Sequence, residues 1–213
     1  MKGSDLAAAL FGILIAFFFI YEPTRDLYLQ AYNKLPALIS FLKFAVLATS
    51  GEMLVLRIKK GTYLEKDFGL LPKMIIWGFL GVFIYMAFGI FSHGVPALFP
   101  MVENRFFTAF LISLLMNVIF APLMMLTHHL TDLHISKGSG IFKLSTFSPL
   151  SLLKEADWEK MWSFVFAKTI PFFWIPAHTV TFLLPTQYRT LFAALLSIAL
   201  GLLLALSGRK QKT

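Results

Sequence analysis

The chain has 213 residues, of which 58% are hydrophobic, and its mean hydropathy is +0.75. Ordinary soluble domains contain about 45–50% apolar residues, so this composition excludes a typical water-soluble globular protein. The net charge of +8 does not indicate a nucleic-acid-binding protein, because the basic residues lie in short connections between apolar blocks and form no single basic face. The absence of cysteine excludes disulfides, thiolate metal sites and cysteine nucleophiles.

Six apolar segments predict membrane-spanning helices. A spanning helix needs about 20 apolar residues, because the hydrocarbon is about 30 Å thick and each residue rises about 1.5 Å. The segments comprise residues 6–21, 35–56, 74–99, 106–126, 161–184 and 191–206. They lack the alternation of a lipid-facing barrel strand. We therefore expect an all-α fold, a polytopic transmembrane helical bundle of about six spans, in one domain of residues 1–213.

The distribution of basic residues predicts the orientation, since Lys and Arg are retained on the cytoplasmic side. One side of the predicted bundle would carry 13 of them and the other only 4, namely Arg25, Lys34, Arg105 and Arg189. The 13 are Lys2, Arg57, Lys59, Lys60, Lys66, Lys73, Lys137, Lys143, Lys154, Lys160, Arg209, Lys210 and Lys212. Both termini are expected inside. The first apolar segment lacks a small-residue cleavage pattern, so we interpret it as a retained signal anchor.

Polar residues within the apolar segments are the first functional candidates, because burying an ionisable group in hydrocarbon costs several kcal/mol. The candidates for a pore or cavity are Glu52, Asn117, Lys168 and His178, together with Arg189 in the last short connection. Each also has a structural interpretation. Lys168 and Lys43 can extend along their stems to the nearest interface. Glu52 can pair with a basic residue of the connection 57–73, and Asn117 can hydrogen-bond a neighbouring helix.

Four residues at the end of the fourth segment have the side chains of a metal site. His128, His129, Asp132 and His134 lie close together, and His128 and Asp132 are one helical turn apart. Histidines and a carboxylate are equally typical of a solvated helix end, and no HExxH pattern accompanies them. We therefore predict no metal and no cofactor, and keep a metal-dependent membrane enzyme as the weakest alternative.

Prolines interrupt two of the predicted spans. Pro122 falls in the fourth, and Pro171 and Pro176 fall in the fifth. Each removes a backbone donor, so the broken helix must pack against protein or line a wet cavity. Nucleophile elbows, phosphate-binding glycine loops and paired carboxylates are missing from the sequence, and an enzyme is not expected.

The last third of the chain contains the string FFWIPAHTVTFLLPTQYR, which includes Trp174, Pro176, Phe182, Pro185, Tyr188 and Arg189. These residues resemble the signature of the Mpv-seventeen family, membrane proteins of the mitochondrial inner membrane and the peroxisome. Gly51 with Glu52 is similar to the family's Gly-Asp, Asn117 with Phe120 and Pro122 is similar to its Gln-Gly-Gly-Phe-Ala-Pro stretch, and Trp162 is placed like the Trp that opens its fifth helix. His178 stands where the family has Gln. The resemblance covers residues 28–207, and residues 1–27 form an additional N-terminal span.

The resemblance implies a channel-like protein that passes small solutes of unknown identity. Our leading expectation is thus a small-solute channel or transporter in the cytoplasmic (inner) membrane of a prokaryote, or in an organellar membrane of a eukaryote. Its expected partners are the lipid bilayer, the solute and a further copy of the chain in a homo-oligomer, and not nucleic acid. The alternative is a non-conducting protein that organises lipids or only holds the bundle together.

Overall fold

The computed structural model describes residues 3–210, with side chains except at Leu204 and residues 206–210. Lys2 and Lys212, two of the basic residues counted for the orientation, lie outside the described residues. Within residues 3–210 the chain is helical and contains no strand. The prediction of an all-α bundle is confirmed.

Ten α-helices follow one another along the described residues. They are α1 Gly3–Ile20, α2 Glu22–Lys34, α3 Pro36–Lys60, α4 Leu70–Leu98, α5 Arg105–Ile119, α6 Ala121–Lys137, α7 Pro149–Glu155, α8 Trp158–Lys160, α9 Ile175–Leu183 and α10 Thr186–Lys210. A 3₁₀ turn, Leu144–Thr146, precedes α7, and a π-helical segment, Met161–Trp174, joins α8 to α9.

Four of these helices are long and apolar enough to cross a membrane: α1, α3, α4 and Thr186–Leu203 of α10. The pair of α5 and α6, bent by 45°, adds a fifth if it counts as one broken span. The predicted fifth segment, residues 161–184, is divided between the π-helical segment and α9, so neither piece reaches spanning length. The described residues therefore contain four or five candidate spans by length and composition.

Two ends of the bundle can be distinguished by their contacts. At the Lys59 end, α3 finishes, α4 begins and α6 finishes, and Asp5 of α1 pairs with Arg57 at 2.7 Å. At the Arg189 end, α9 finishes and α10 begins, and Arg105 at the start of α5 donates to the Leu183 carbonyl at 2.6 Å. Successive long helices therefore run in alternating directions.

Glycines allow close contact between α3 and α4. A Cβ atom at Gly78 would lie 2.4 Å from the Phe41 ring, and one at Gly81 would lie 2.6 Å from Phe44 Cβ. The two aromatic rings thus occupy space that any larger residue on α4 would need. Phe44 is 1% exposed and belongs to the main hydrophobic core, which α3, α4, α5, α9 and α10 share.

Prolines stand where the helices change course. Pro122 occupies the first turn of α6, directly after the bend at Phe120, where its missing N–H costs no helical bond. Pro171 lies inside the π-helical segment and Pro176 in the first turn of α9. The predicted interruption of both spans is therefore found.

Candidate functional site

A cavity of about 560 Å³ lies in the middle of the bundle and opens at the Lys59 end. Its wall is formed by α3, α4, α5, α6, the π-helical segment, α9 and α10. Exposed residues, Lys59 and Lys160 among them, surround its mouth, and Asn117 and His178 lie at its deep end. Its remaining wall residues are largely apolar, including Ala48, Val55, Ile84, Phe88, Met116, Met124, Phe164 and Leu200.

The deep end of the cavity is organised by a hydrogen-bonded group that joins α5 to α9. Asn117 Nδ2 donates to the Ser113 carbonyl at 2.8 Å and lies 3.1 Å from His178 Nδ1. Ser113 Oγ donates to the Ile175 carbonyl at 2.7 Å. Ser113 and Asn117 are fully buried, and the Trp174 ring stacks on the His178 ring with centroids 5.1 Å apart. Trp174 Nε1 is buried and has no hydrogen-bond partner among the described residues.

A second polar group, the Glu52 cluster, joins three helices near the Lys59 end. Glu52 of α3 accepts from Lys73 Nζ and from Trp77 Nε1 of α4, each at 2.6 Å. His128 Nε2 of α6 lies 3.2 Å from the same carboxylate, and Lys73 also bonds to Asp132. The His128 and Trp77 rings are in contact, with centroids 4.3 Å apart. The predicted pairing of Glu52 with a basic residue of the connection 57–73 is confirmed at Lys73.

A third polar group closes the bundle at the Arg189 end. Lys43 Nζ is buried and donates to Thr190 Oγ1 at 2.5 Å and to Tyr28 OH at 3.1 Å. Tyr28 OH in turn donates to the Gln187 carbonyl at 2.5 Å. Tyr32 OH donates to the Thr186 carbonyl at 3.4 Å, and the Lys43 ammonium lies over both tyrosine rings. Burial raises the pKa of the Tyr28 and Tyr32 phenols above their ordinary value, which keeps both as neutral donors.

Arg189 caps backbone carbonyls at the C-terminal end of α9. Its Nε donates to the Leu184 carbonyl at 3.0 Å and its terminal nitrogen donates to the Phe182 carbonyl at 3.1 Å. The guanidinium also lies 5.5 Å from the centre of the Phe182 ring. A cation bound to the last carbonyls of a helix satisfies acceptors that the helix itself cannot pair.

The five predicted cavity residues therefore separate into two groups. Glu52, Asn117 and His178 line the cavity, whereas Lys168 and Arg189 do not. Lys168 is exposed on the outside of the π-helical segment. In that segment each turn holds more residues than the 3.6 of an α-helix, so Thr169 takes the wall position that α-helical spacing gives to Lys168. The prediction of a cavity position is thus corrected for Lys168 and Arg189.

The residues matched to the family motif have different surroundings. Gly51, Phe120 and Trp174 line the cavity, and a Cβ atom at Gly51 would lie 3.0 Å from the Ile198 side chain of α10. Tyr188 stacks on Tyr28 at the Arg189 end. Trp162 is 65% exposed and does not line the cavity.

The histidines after the fourth segment do not converge on a metal position. His128 contacts Glu52, whereas His134 lies 3.0 Å from the Lys143 carbonyl and packs edge-on against Phe142 and Phe147. Within the part of the chain that the structure describes, no group of three or more potential ligands is placed to hold a metal ion. The weak alternative of a metal site at His128, His129, Asp132 and His134 therefore has no geometric support.

Sequence reasoning missed several residues of these groups. Lys73 and Trp77 are one turn apart on α4, and this spacing predicts a shared face that could have been read from the sequence. Thr190 carries no such signal, because its partner Lys43 lies 147 residues away.

Comparisons of the chain with protein-family models, with curated proteins and with solved structures give no match. The resemblance to the Mpv-seventeen family therefore stays a prediction.

Proposed function

We propose that this chain is an integral membrane transporter that takes a small solute into its central cavity from the Lys59 end. The observation that carries the proposal is the cavity itself, about 560 Å³ between the helices of an apolar bundle. This volume lies within the 300–1,000 Å³ that is common for small-molecule sites. A bundle that served only as scaffold would be expected to fill such a space with side chains.

The proposal includes six spans, with residues 158–183 as the fifth crossing. Both termini and the Lys59 end would face the cytoplasm, because that end carries most of the Lys and Arg residues. A prokaryotic cytoplasmic membrane and a relationship to the Mpv-seventeen family belong to the same proposal, supported by the residues that match at 174, 176, 182, 185, 188 and 189.

A transporter is favoured over an open channel because the cavity stops before the Arg189 end. Lys43, Tyr28 and Thr190 close that end by hydrogen bonds, and none of them lines the cavity. A solute entering from the Lys59 end would stay in the cavity until the hydrogen bonds at the closed end break.

A non-conducting structural protein is the second candidate, and one observation favours it. Glu52 and Asn117, the polar residues expected to serve a solute path, are engaged with other helices. Their bonds would be needed to hold the bundle together whether or not a solute passes.

The absence of cysteine makes a direct test of the cavity possible. We expect Ser197→Cys, at a cavity-lining position of α10, to react with a small charged methanethiosulfonate when the protein is in liposomes. Leu195→Cys on the same helix is exposed to the surroundings and lies outside the cavity wall, so its thiol should stay unreactive in lipid. Equal reactivity of the two thiols would contradict a wet cavity.

Flux measurements then separate the two candidate functions. Met124→Trp replaces a flexible side chain of the cavity wall with a bulky indole ring, and it should abolish uptake of radiolabelled solutes into proteoliposomes. Val118→Trp on the exposed face of α5, and Lys168→Ala, should leave uptake unchanged. A solute panel with no uptake by the unmodified protein would favour the structural protein.

The orientation has its own test in intact cells. Lys66→Cys and Glu103→Cys, which lie in exposed connections at opposite ends, should be labelled by an impermeant reagent from opposite sides of the membrane. Labelling of both from the same side would refute the proposed topology.

A further inference from the structure

Resting on the proposed function, we infer that the solute of this cavity is a single-chain amphiphile, with an apolar tail in the bundle and an anionic head at Lys59 and Lys160. The inference combines the shape of the cavity, the chemistry of its wall and the charges at its mouth.

The cavity is elongated. Phe44 and Lys59 of α3 both line it and are 15 residues apart, which corresponds to about 22 Å along an α-helix. A compact cavity with the same volume of 560 Å³ would be only about 10 Å across. A solute that fills this space must therefore be long, as an extended hydrocarbon chain is.

The wall suits a flexible apolar chain. Four of the nine methionines of the chain line the cavity, namely Met116, Met124, Met125 and Met161. Methionine side chains adapt to apolar ligands of varied shape. Such a wall favours burial of apolar surface and is not specific for one rigid molecule.

The hydroxyl groups of the wall are already satisfied by their own helices. Thr169 Oγ1 donates to the Phe164 carbonyl at 3.2 Å, and Ser197 Oγ donates to the Ala193 carbonyl at 3.1 Å. A solute with a polar body, such as a sugar, would lose its hydrogen bonds to water here and regain few of them.

The mouth offers two lysines for an anion. Lys59 and Lys160 line it, are exposed, and have no ion pair within residues 3–210. The nearby acidic residues that line the cavity do not pair with the ammonium groups of these two lysines. Glu52 and Asp132 pair with Lys73, and Asp157 accepts the backbone N–H of Lys160 at 2.9 Å. An anionic head such as a carboxylate or phosphate would therefore find unpaired cations at the open end.

Two cysteine positions measure how far a bound tail reaches. Val55 lies about 6 Å from Lys59 along α3, four residues away. Ser197 on α10 lies deeper, because its neighbour Ile198 contacts Gly51, about 12 Å from Lys59 by the same measure. The shallow variant is Val55→Cys and the deep variant is Ser197→Cys.

The experiment follows the reaction of these two thiols with methanethiosulfonate in phosphatidylcholine liposomes. Hexadecanoate should slow labelling of both variants at least tenfold, and octanoate should protect only Val55→Cys. Hexadecyltrimethylammonium, with the same tail and a cationic head, should protect neither. Protection by the cation equal to that by hexadecanoate would overturn the assignment of the head group.

A second liposome composition distinguishes a free fatty acid from a membrane lipid as the occupant of the cavity. Protection of Ser197→Cys in phosphatidylglycerol liposomes without added fatty acid would overturn the assignment of a single-chain solute, because phosphatidylglycerol carries two acyl chains. Protection that needs hexadecanoate would identify a free fatty acid. Unchanged labelling in both arms would overturn the inference and leave the proposed transporter intact, whereas thiols that never react without ligand would refute the proposed cavity function.

The matched protein control removes the two charges at the mouth. Lys59→Gln combined with Lys160→Gln should raise the hexadecanoate concentration needed for half-protection about tenfold. Labelling of Ser197→Cys in this background without ligand should equal that of the single variant, which shows that the fold is intact. Unchanged half-protection would exclude the two lysines as head-group partners.

Discussion

Replacing Glu52 tests whether the Glu52 cluster holds three helices together. Glu52→Gln keeps an oxygen for the Trp77 N–H but removes the charge that faces Lys73 and His128. A hydrogen bond to a charged group contributes about 1.5–3 kcal/mol, and Lys73 retains Asp132. We therefore expect Glu52→Gln to lower the free energy of unfolding by about 1–3 kcal/mol. Glu52→Leu leaves all three donors without this acceptor and should cost about 3–5 kcal/mol.

Glu65→Gln is the matched control at the same end of the bundle. Glu65 pairs with Lys60 at 2.7 Å, but these side chains are 39% and 59% exposed, so the pair is worth about 0–1 kcal/mol. Glu52 and Lys73 are only 23% and 12% exposed. Reversible unfolding of each variant in mixed micelles, followed by tryptophan fluorescence, gives the free energies. Equal losses for Glu52→Gln and Glu65→Gln, or a Glu52→Leu variant no worse than Glu52→Gln, would refute the reasoning.

Three further predictions use the same unfolding measurement. A double-mutant cycle of Asn117→Ala and His178→Ala should give a coupling of about 0.6–1.7 kcal/mol, as for other hydrogen bonds between membrane helices, and a coupling near zero would contradict the contact. Gly81→Val should destabilise by about 1–3 kcal/mol because its Cβ would lie 2.6 Å from Phe44 Cβ, whereas Gly89→Ala on the same helix meets nothing within 4 Å and should stabilise by about 0.5–1 kcal/mol. Tyr28→Phe should lower stability by about 1–2 kcal/mol because it removes the hydroxyl that bonds the Gln187 carbonyl and Lys43; an unchanged stability would show that these bonds contribute nothing.

The helices could be predicted from the sequence because length and hydropathy determine them locally. The predicted segment 35–56 largely coincides with α3, Pro36–Lys60, and 74–99 with α4, Leu70–Leu98. The interruptions of the fourth and fifth predicted spans could also be predicted, because the missing backbone N–H of a proline affects the helix locally. The connection after the first segment forms α2, whose mixed polar sequence carries no spanning signal.

The orientation of side chains was harder to predict because it depends on helix pitch and on distant partners. Lys168 was a cavity candidate because it is an ionisable residue within an apolar segment, but it is exposed on the outside of the π-helical segment, and its neighbour Thr169 lines the cavity instead. For Lys43 the sequence offered only an extension to the interface. Its actual partners, Tyr28 and Thr190, lie on helices whose packing is a tertiary property.

The free energy needed to open the bundle at the Arg189 end is compatible with the proposed transport cycle. Opening this end would separate the first turn of α10 from α2 and α3. This breaks four bonds: from Tyr28 to Gln187, from Tyr32 to Thr186, and from Lys43 and Ser40 to Thr190. At a net value of about 1 kcal/mol each, these bonds amount to about 4 kcal/mol. A gap of a few kcal/mol leaves an alternative conformation populated at about 0.1–10%. Because the partners are hydroxyls and backbone carbonyls, water that enters an opened end can replace each of these bonds, which water could not do for a closure made of packed aromatic rings.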